Sequence, residues 1–171
     1  MTKRLRLIPC SLPAARAILL ERQALQEHLG ADVPADWPTE ELKGFLPLYI
    51  EQLEKQPNAL GWGVWLLILR GEGRLVGDAG FHGKRDVRGY AEIGYSVHPN
   101  YRNRGIASEA VHALIDWAFR EDCTLRKIGA ECDKGNHPSI KVLKKVGMTC
   151  VGSEGTVLLW ERTRSYGKAV L

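Results

Sequence analysis

The sequence predicts an α/β fold: a single domain, residues 1–171, built on a mixed, mostly antiparallel sheet flanked by helices. Three observations predict it. Short β-rich and helical stretches follow one another as strand, two helices, three strands, helix, strand, helix, strand, the succession of a sheet with helices on its faces. Two central stretches are joined only by Gly71 to Gly73, a connection that suits a hairpin. The chain has 171 residues, 44% hydrophobic and 26% charged, the size and composition of one globular domain that buries a core without disulfide staples. No repeat or low-complexity segment suggests a second unit.

Each element has a local cause. Lys3 to Ile8 alternates charge with Leu5, Leu7 and Ile8 and reads as a strand ending at Pro9. Ser11 is placed to cap a helix with Pro13 in its first turn, continuing through Ala17, Leu20, Ala24 and Leu25 until Gly30 stops it. ADVPADWP is a loop, after which Thr39 caps a second helix toward Lys55 with Glu40 and Glu41 in its first turn. Gly61 to Arg70 is a nearly continuous apolar run, as in a central strand, and Arg74 to His82 is its hairpin partner. A charged loop, Gly83 to Gly89, leads to the strand Ala91 to Val97. Ile106, Ala107, Ala110, Val111, Leu114, Ile115, Ala118 and Phe119 recur at helical spacing. Lys127 to Cys132 is a strand, Pro138 to Gly147 spans a helix, Val151 to Gly155 is expected to turn, and Val157 to Arg164 is the last strand.

The stretch from Val97 to Ser108, VHPNYRNRGIAS, joins a strand to the longest clean amphipathic helix. Gly105 lets the backbone turn tightly, and the first helical N–H groups have no partners within the helix. With Arg102 and Arg104 beside it, the turn has the makings of a phosphate or pyrophosphate site. An ordinary turn with solvent-facing arginines is the competing reading. Neither the triphosphate-loop pattern nor the dinucleotide pattern is present.

Composition narrows the partners. Twenty-four Lys and Arg against 20 Asp and Glu give +4, spread over short clusters with no aromatic interleaving. That balance suits a polyanionic cofactor better than nucleic acid. Cys10, Cys123, Cys132 and Cys150 lie far apart with no zinc-type spacing, and are expected to be reduced, core-filling residues. No signal-peptide pattern opens the chain, and no apolar run approaches the roughly 18 residues of a membrane helix, so a cytoplasmic protein with no membrane partner is expected.

Arg102, Gly105 and Ala107 fill an R-x-x-G-x-G/A pattern behind the strand EIGYSVHP, and Asn136, Ser139, Leu143, Lys145 and Gly147 in NHPSIKVLKKVGM fill N-x-x-S-x-x-x-L-x-K-x-G downstream. Two motifs in register resemble the GCN5-related N-acetyltransferase superfamily, in the branch similar to the ribosomal-protein N-terminal acetyltransferases. The resemblance is close from Leu75 to Met148 and elsewhere extends to the order of elements.

It implies an acyl-CoA N-acyltransferase fold, with acetyl-CoA as donor, no metal, and direct transfer to a primary amine in a ternary complex. Backbone groups of Arg102, Asn103, Arg104, Gly105, Ile106, Ala107 and Ser108 would hold the pyrophosphate. Val97 and Asn136 would hold the pantetheine arm, and Val97 would also supply an oxyanion donor. Glu92 on the strand before the loop is the implied base, its facing dependent on whether a bulge interrupts the strand, and Glu131 is the second candidate. Many relatives carry a tyrosine acid seven residues beyond the asparagine. Here that position is Leu143, which leaves Ser139 as the donor near the cofactor sulfur.

The acceptor is left open between a protein N-terminus and a small amine such as a polyamine, aminoglycoside or amino acid. A lysine-like amine of pKa about 10.4 costs roughly 4.6 kcal/mol to deprotonate at pH 7, an α-amine near 8 only about 1.4. Trp37, Phe45, Leu48 and Tyr49 are candidates to line its pocket or, for the last three, to be the buried face of a helix. Asp32, Asp36, Glu40 and Glu41 lean toward a cationic acceptor. The absent tyrosine keeps a non-catalytic acyl-CoA-binding module as the alternative. Another acyl donor would need a pocket cation that the sequence does not place. A Ser/His/Asp hydrolase is excluded, since no G-x-S-x-G occurs. His82, His98, His112 and His137 receive no role, and monomer and homodimer are both open.

Overall fold

The computed structural model describes residues 2–165. Seven strands form one sheet: β1 (Leu5–Pro9), β2 (Val64–Leu69), β3 (Arg74–Phe81), β4 (Tyr90–Val97), β5 (Lys127–Asp133), β6 (Thr149–Glu154) and β7 (Val157–Thr163), in the order β1-β2-β3-β4-β5-β7-β6. All neighbours are antiparallel except β4 and β5, which run parallel because the long helix between them carries the chain back. The helices are α1 (Leu12–Leu20), α2 (Arg22–Leu29), α3 (Glu40–Lys55), α4 (Ile106–Glu121) and α5 (His137–Lys145).

Two apolar layers sandwich the sheet. On one face Ile106, Ala110, Leu114 and Ile115 of α4 pack with Val76, Phe81, Ala91, Ile93 and Ile128. On the other, Leu25 of α2 and Leu46 and Tyr49 of α3 pack with Val64, Leu66 and Leu75. This second layer includes no residue of β4 to β7.

Three expectations are corrected. The helix expected from Ser11 to Gly30 is two helices. Ser11 caps α1 as foreseen, 3.4 Å from the Ala14 N–H, but Glu21 is extended (φ −157°, ψ 102°) and redirects the chain. The break lets Ala14 and Ala15 of α1 and Leu25 and Leu29 of α2 meet the same core. Second, Thr149–Glu154 is a strand and the turn is confined to Gly155 and Thr156. Every residue of β6 is exposed, so it has no apolar alternation, and pairing with β7 around a bulge at Cys150/Gly152 makes it a strand. Third, Cys10 and Cys132 are buried but Cys123 and Cys150 are exposed, one in a loop and the other on β6. All four are free thiols.

Candidate active site

β4 and β5 pair only from Tyr90/Lys127 to Glu92/Gly129. Beyond that point β4 stays with β3 as far as Val97/Gly77, while β5 stays with β7 as far as Asp133/Val157. The two strands therefore part and open a slot through the sheet. The His82 and His98 amides bond to Glu92 and Val76 carbonyls at 3.0 and 2.9 Å, so the even residues of this stretch pair with β3. Ile93, Tyr95 and Val97 turn their backbone groups toward the slot by strand alternation.

Behind the slot lies the Val97–Ser108 turn. Asn103 (φ 60°) and Gly105 (φ 75°) are left-handed, and α4 has no side-chain cap at its N-terminus. The amides of Ile106, Ala107 and Ser108 are thus free to bind an anion. A Cβ on Gly105 would meet only the Arg4 guanidinium, at 3.5 Å, so glycine is required here for its dihedral angle. The arginines do more than face solvent. Arg102 Nε donates to the Val97 carbonyl at 3.1 Å, and Arg104 lies over the Tyr101 ring, 5.0 Å from its centroid. Arg4 clamps the turn by donating to Glu109 (2.6 Å) and to the Arg104 carbonyl (2.9 Å). His98 is structural: it is buried, and its Nε2 meets Asp36 at 2.9 Å.

Asn136 caps α5, its Oδ1 accepting the Ser139 N–H at 3.1 Å, which leaves its amide nitrogen as the group that remains to donate. Leu143 is fully buried in the core and offers no acid. Instead the Tyr95 hydroxyl crosses from β4 to donate to the Ser139 carbonyl at 3.3 Å. Burial holds its pKa above the ordinary phenol value, so it serves as a hydrogen-bond donor. Sequence reading missed Tyr95.

No bulge interrupts β4 against β3, which fixes the facing of Glu92. Ala91 and Ile93 face α4, so Glu92 faces the other side with Gly94 and Ser96. It does not act alone there: His82 Nδ1 lies 3.1 Å from Glu92 Oε1. That contact, against the opposing effect of burial, holds the His82 pKa above its ordinary value, with the Glu92, Glu41 and Glu131 charges adding to it. Correspondingly, the His82 contact holds the Glu92 carboxyl below its usual range. A Cβ built on Gly94 would stand 3.4 Å from His82 Nε2, so the free imidazole nitrogen overhangs the strand that borders the slot. Glu131 is exposed on β5. The pair follows from the regular β3–β4 register, which sets His82 opposite Glu92, and is not visible without the sheet.

The expected acceptor-pocket residues separate. Phe45 lines a cavity of about 100 Å³ with His82 and Glu41. Tyr49 is fully buried and donates to the Cys10 carbonyl at 2.7 Å, whereas Leu48 is 62% exposed and points away from the core. Trp37 is buried behind the cavity, donating from Nε1 to Asp78 at 3.0 Å. Of the four acids, Glu41 alone lines this cavity: Asp32 pairs with Arg74, Asp36 with His98 and Glu40 with Lys43. Among the described residues no group of three or more His, Cys, Asp or Glu is arranged to hold a metal, and no helix is long and apolar enough to cross a membrane.

A sheet parted between two parallel strands, with an uncapped helix start behind the gap, defines an acyltransferase-type fold. Residues 4–149 match the family described as "Acetyltransferase (GNAT) domain", and the chain belongs to that family. It is 31% identical over 146 residues to the uncharacterized N-acetyltransferase YjdG of Bacillus subtilis, covering 85% of this chain and 86% of that one. A GNAT-family acetyltransferase of Bacillus anthracis superposes with a TM-score of 0.63 at 25% identity, over 95% of this chain and 96% of that chain. The ribosomal L7/L12 alpha-N-protein acetyltransferase RimL, solved with coenzyme A, superposes with a TM-score of 0.66 at 18% identity over 95% of each chain, a likeness of fold. The protein is thus an N-acetyltransferase by family.

Proposed function

We propose that the whole chain, 1–171, is one transferase domain that moves the acetyl group of acetyl-CoA directly to a primary amine within a ternary complex. The observation that carries this reading is the parting of β4 from β5 directly before an α4 N-terminus that no side chain caps. The free amides and the Arg102 and Arg104 guanidiniums suit a pyrophosphate, and the slot-facing backbone of Ile93, Tyr95 and Val97 suits an amide-bearing pantetheine arm. RimL solved with coenzyme A and a microcin immunity acetyltransferase solved with acetyl-CoA share the fold, which supports the choice of donor.

In this reading the coenzyme supplies a thioester carbonyl at the slot. His82 takes one proton from the amine at Nε2 while Glu92 holds Nδ1–H, fixing the tautomer and favouring the imidazolium that forms. The new N–C bond replaces the C–S bond, and the Val97 amide faces the oxyanion that appears between those events. The departing sulfur leaves as a thiolate that receives the Ser139 hydroxyl hydrogen bond and that of Tyr95, whose O–H turns from the Ser139 carbonyl to it, and the proton held on His82 is returned through water to give the free thiol. Glu92 therefore stays in the base as the partner of His82, while Glu131 adds charge from across the slot.

The experiment is thiol release from acetyl-CoA in the presence of a panel of primary amines. Amine-dependent release that falls in Glu92→Gln supports transfer. Coenzyme binding with no amine-dependent release supports the non-catalytic alternative that Leu143 keeps open.

A further inference from the structure

The proposed base lies at one end of a cavity whose other end is a buried carboxylate that the transfer chemistry does not use. Asp78, on β3, is 9% exposed and lines the cavity with Phe45, Gly80, His82, Gly94 and Ser96. One of its oxygens accepts the Trp37 indole N–H at 3.0 Å, and the side chain makes no other hydrogen bond among the described residues. Asp78 is opposite Ser96 and Gly80 opposite Gly94, so the floor between the two ends carries no side chains. His82 Nε2 overhangs Gly94, which places it about two residues, roughly 7 Å, along the sheet from Asp78.

The cavity is also one-signed. Its lining includes Asp78 and Glu41 but no Lys or Arg, and His82 is its one residue that can carry positive charge. Burial, reinforced by the Glu41 charge and opposed by the Trp37 bond, pushes the Asp78 carboxyl up to about 6, the behaviour of an anion that lacks a counter-charge. A cation placed there would supply it. The volume, about 100 Å³, admits a short aliphatic chain and not a folded polypeptide segment.

We propose that this cavity is a subsite for a second ammonium group of the acceptor, so that the favoured substrates are short linear diamines acetylated at one end, with Asp78 as the specificity-determining carboxylate. The proposal rests on the transferase reading above. The reacting amine sits at His82, the methylene chain lies over Gly80 and Gly94 against the Phe45 ring, and the distal ammonium donates to Asp78.

The test compares putrescine and cadaverine with butylamine, and with a short peptide bearing a free N-terminus, as acceptors for the full chain and for Asp78→Asn. The isosteric amide can still accept the Trp37 bond. The wild-type protein is expected to show a kcat/KM for a diamine at least tenfold above that for butylamine, and Asp78→Asn to lower that ratio tenfold or more, chiefly through the diamine KM. Glu41→Gln, on an exposed position, is expected to move the ratio the same way by a smaller factor and serves if Asp78→Asn folds poorly. Turnover of butylamine or the peptide as efficiently as the diamines would overturn the subsite while leaving the transferase reading intact. Absence of turnover with every amine would overturn both.

Discussion

Asp78→Asn also makes a stability prediction that needs no substrate. The carboxyl is raised from 3.8 to about 6 in the folded state. The folded protein therefore keeps this proton to a higher pH than the unfolded chain does, and stability falls as pH rises between those two values. At 1.36 kcal/mol per unit the full penalty above pH 6 is about 3 kcal/mol. Asparagine removes the charge and still accepts the Trp37 N–H, and the preference of that bond for an ionised acceptor is already contained in the value of about 6. The variant should be more stable than the parent by about 3 kcal/mol at pH 8, or roughly 6–12 °C in Tm for a chain of this size. At pH 4, where the parent carboxyl is protonated, the advantage should vanish. Urea unfolding followed by tryptophan fluorescence at the two pH values measures this. Equal stability at pH 8, or a variant less stable there, would refute the claim that Asp78 is an uncompensated buried anion, and with it the reason a cation should be drawn to the cavity.

The remaining predictions concern the reacting end. His82→Ala should lower kcat by about a hundredfold or more, the usual scale of general-base assistance, and Glu92→Gln by a smaller factor, with acetyl-CoA binding retained in both. Because Glu92 holds the His82 pKa up, the acid limb of the kcat/KM profile should lie above pH 6.5 in the parent and move down in Glu92→Gln. A limb unmoved by the substitution would remove His82 from the base. Tyr95→Phe removes the hydroxyl that reaches Ser139 and should lower kcat by about tenfold without a matching change in acetyl-CoA affinity, the loss of one donor to the departing sulfur. An unchanged kcat would show that the hydroxyl serves only to tie β4 to α5.

What the sequence made legible was local. The Val97–Ser108 turn could be read because its requirements, a left-handed glycine, a free helix start and neighbouring cations, lie within one short stretch. Asn136 and Ser139 stood out through a motif confined to one short stretch, and the structure adds that the first caps the helix in whose first turn the second lies. Features set by pairing were not. His82 meets Glu92 only through the β3–β4 register, and neither residue announces the other. β6 has six exposed residues and becomes a strand because β7 lies beside it. The bend at Glu21 has no glycine or proline to mark it and follows from where α1 and α2 must put their small apolar faces. Asp78 did carry a signal, a charged residue inside the apolar strand RLVGDAGF, that a reading focused on periodicity passes over.

The central claim, that the α4 start and the slot beside it form a coenzyme site, is tested most directly by calorimetric titration of acetyl-CoA into the protein and into Gly105→Glu. The variant forces a side chain into a left-handed position, at a cost of about 1–2 kcal/mol, and sets a carboxylate where the pyrophosphate is proposed to lie. Circular dichroism first establishes that both proteins are folded. Saturable one-site binding to the parent and its loss in the variant are expected. A folded parent that does not bind acetyl-CoA, or a folded variant that binds it as well as the parent, would contradict the central claim.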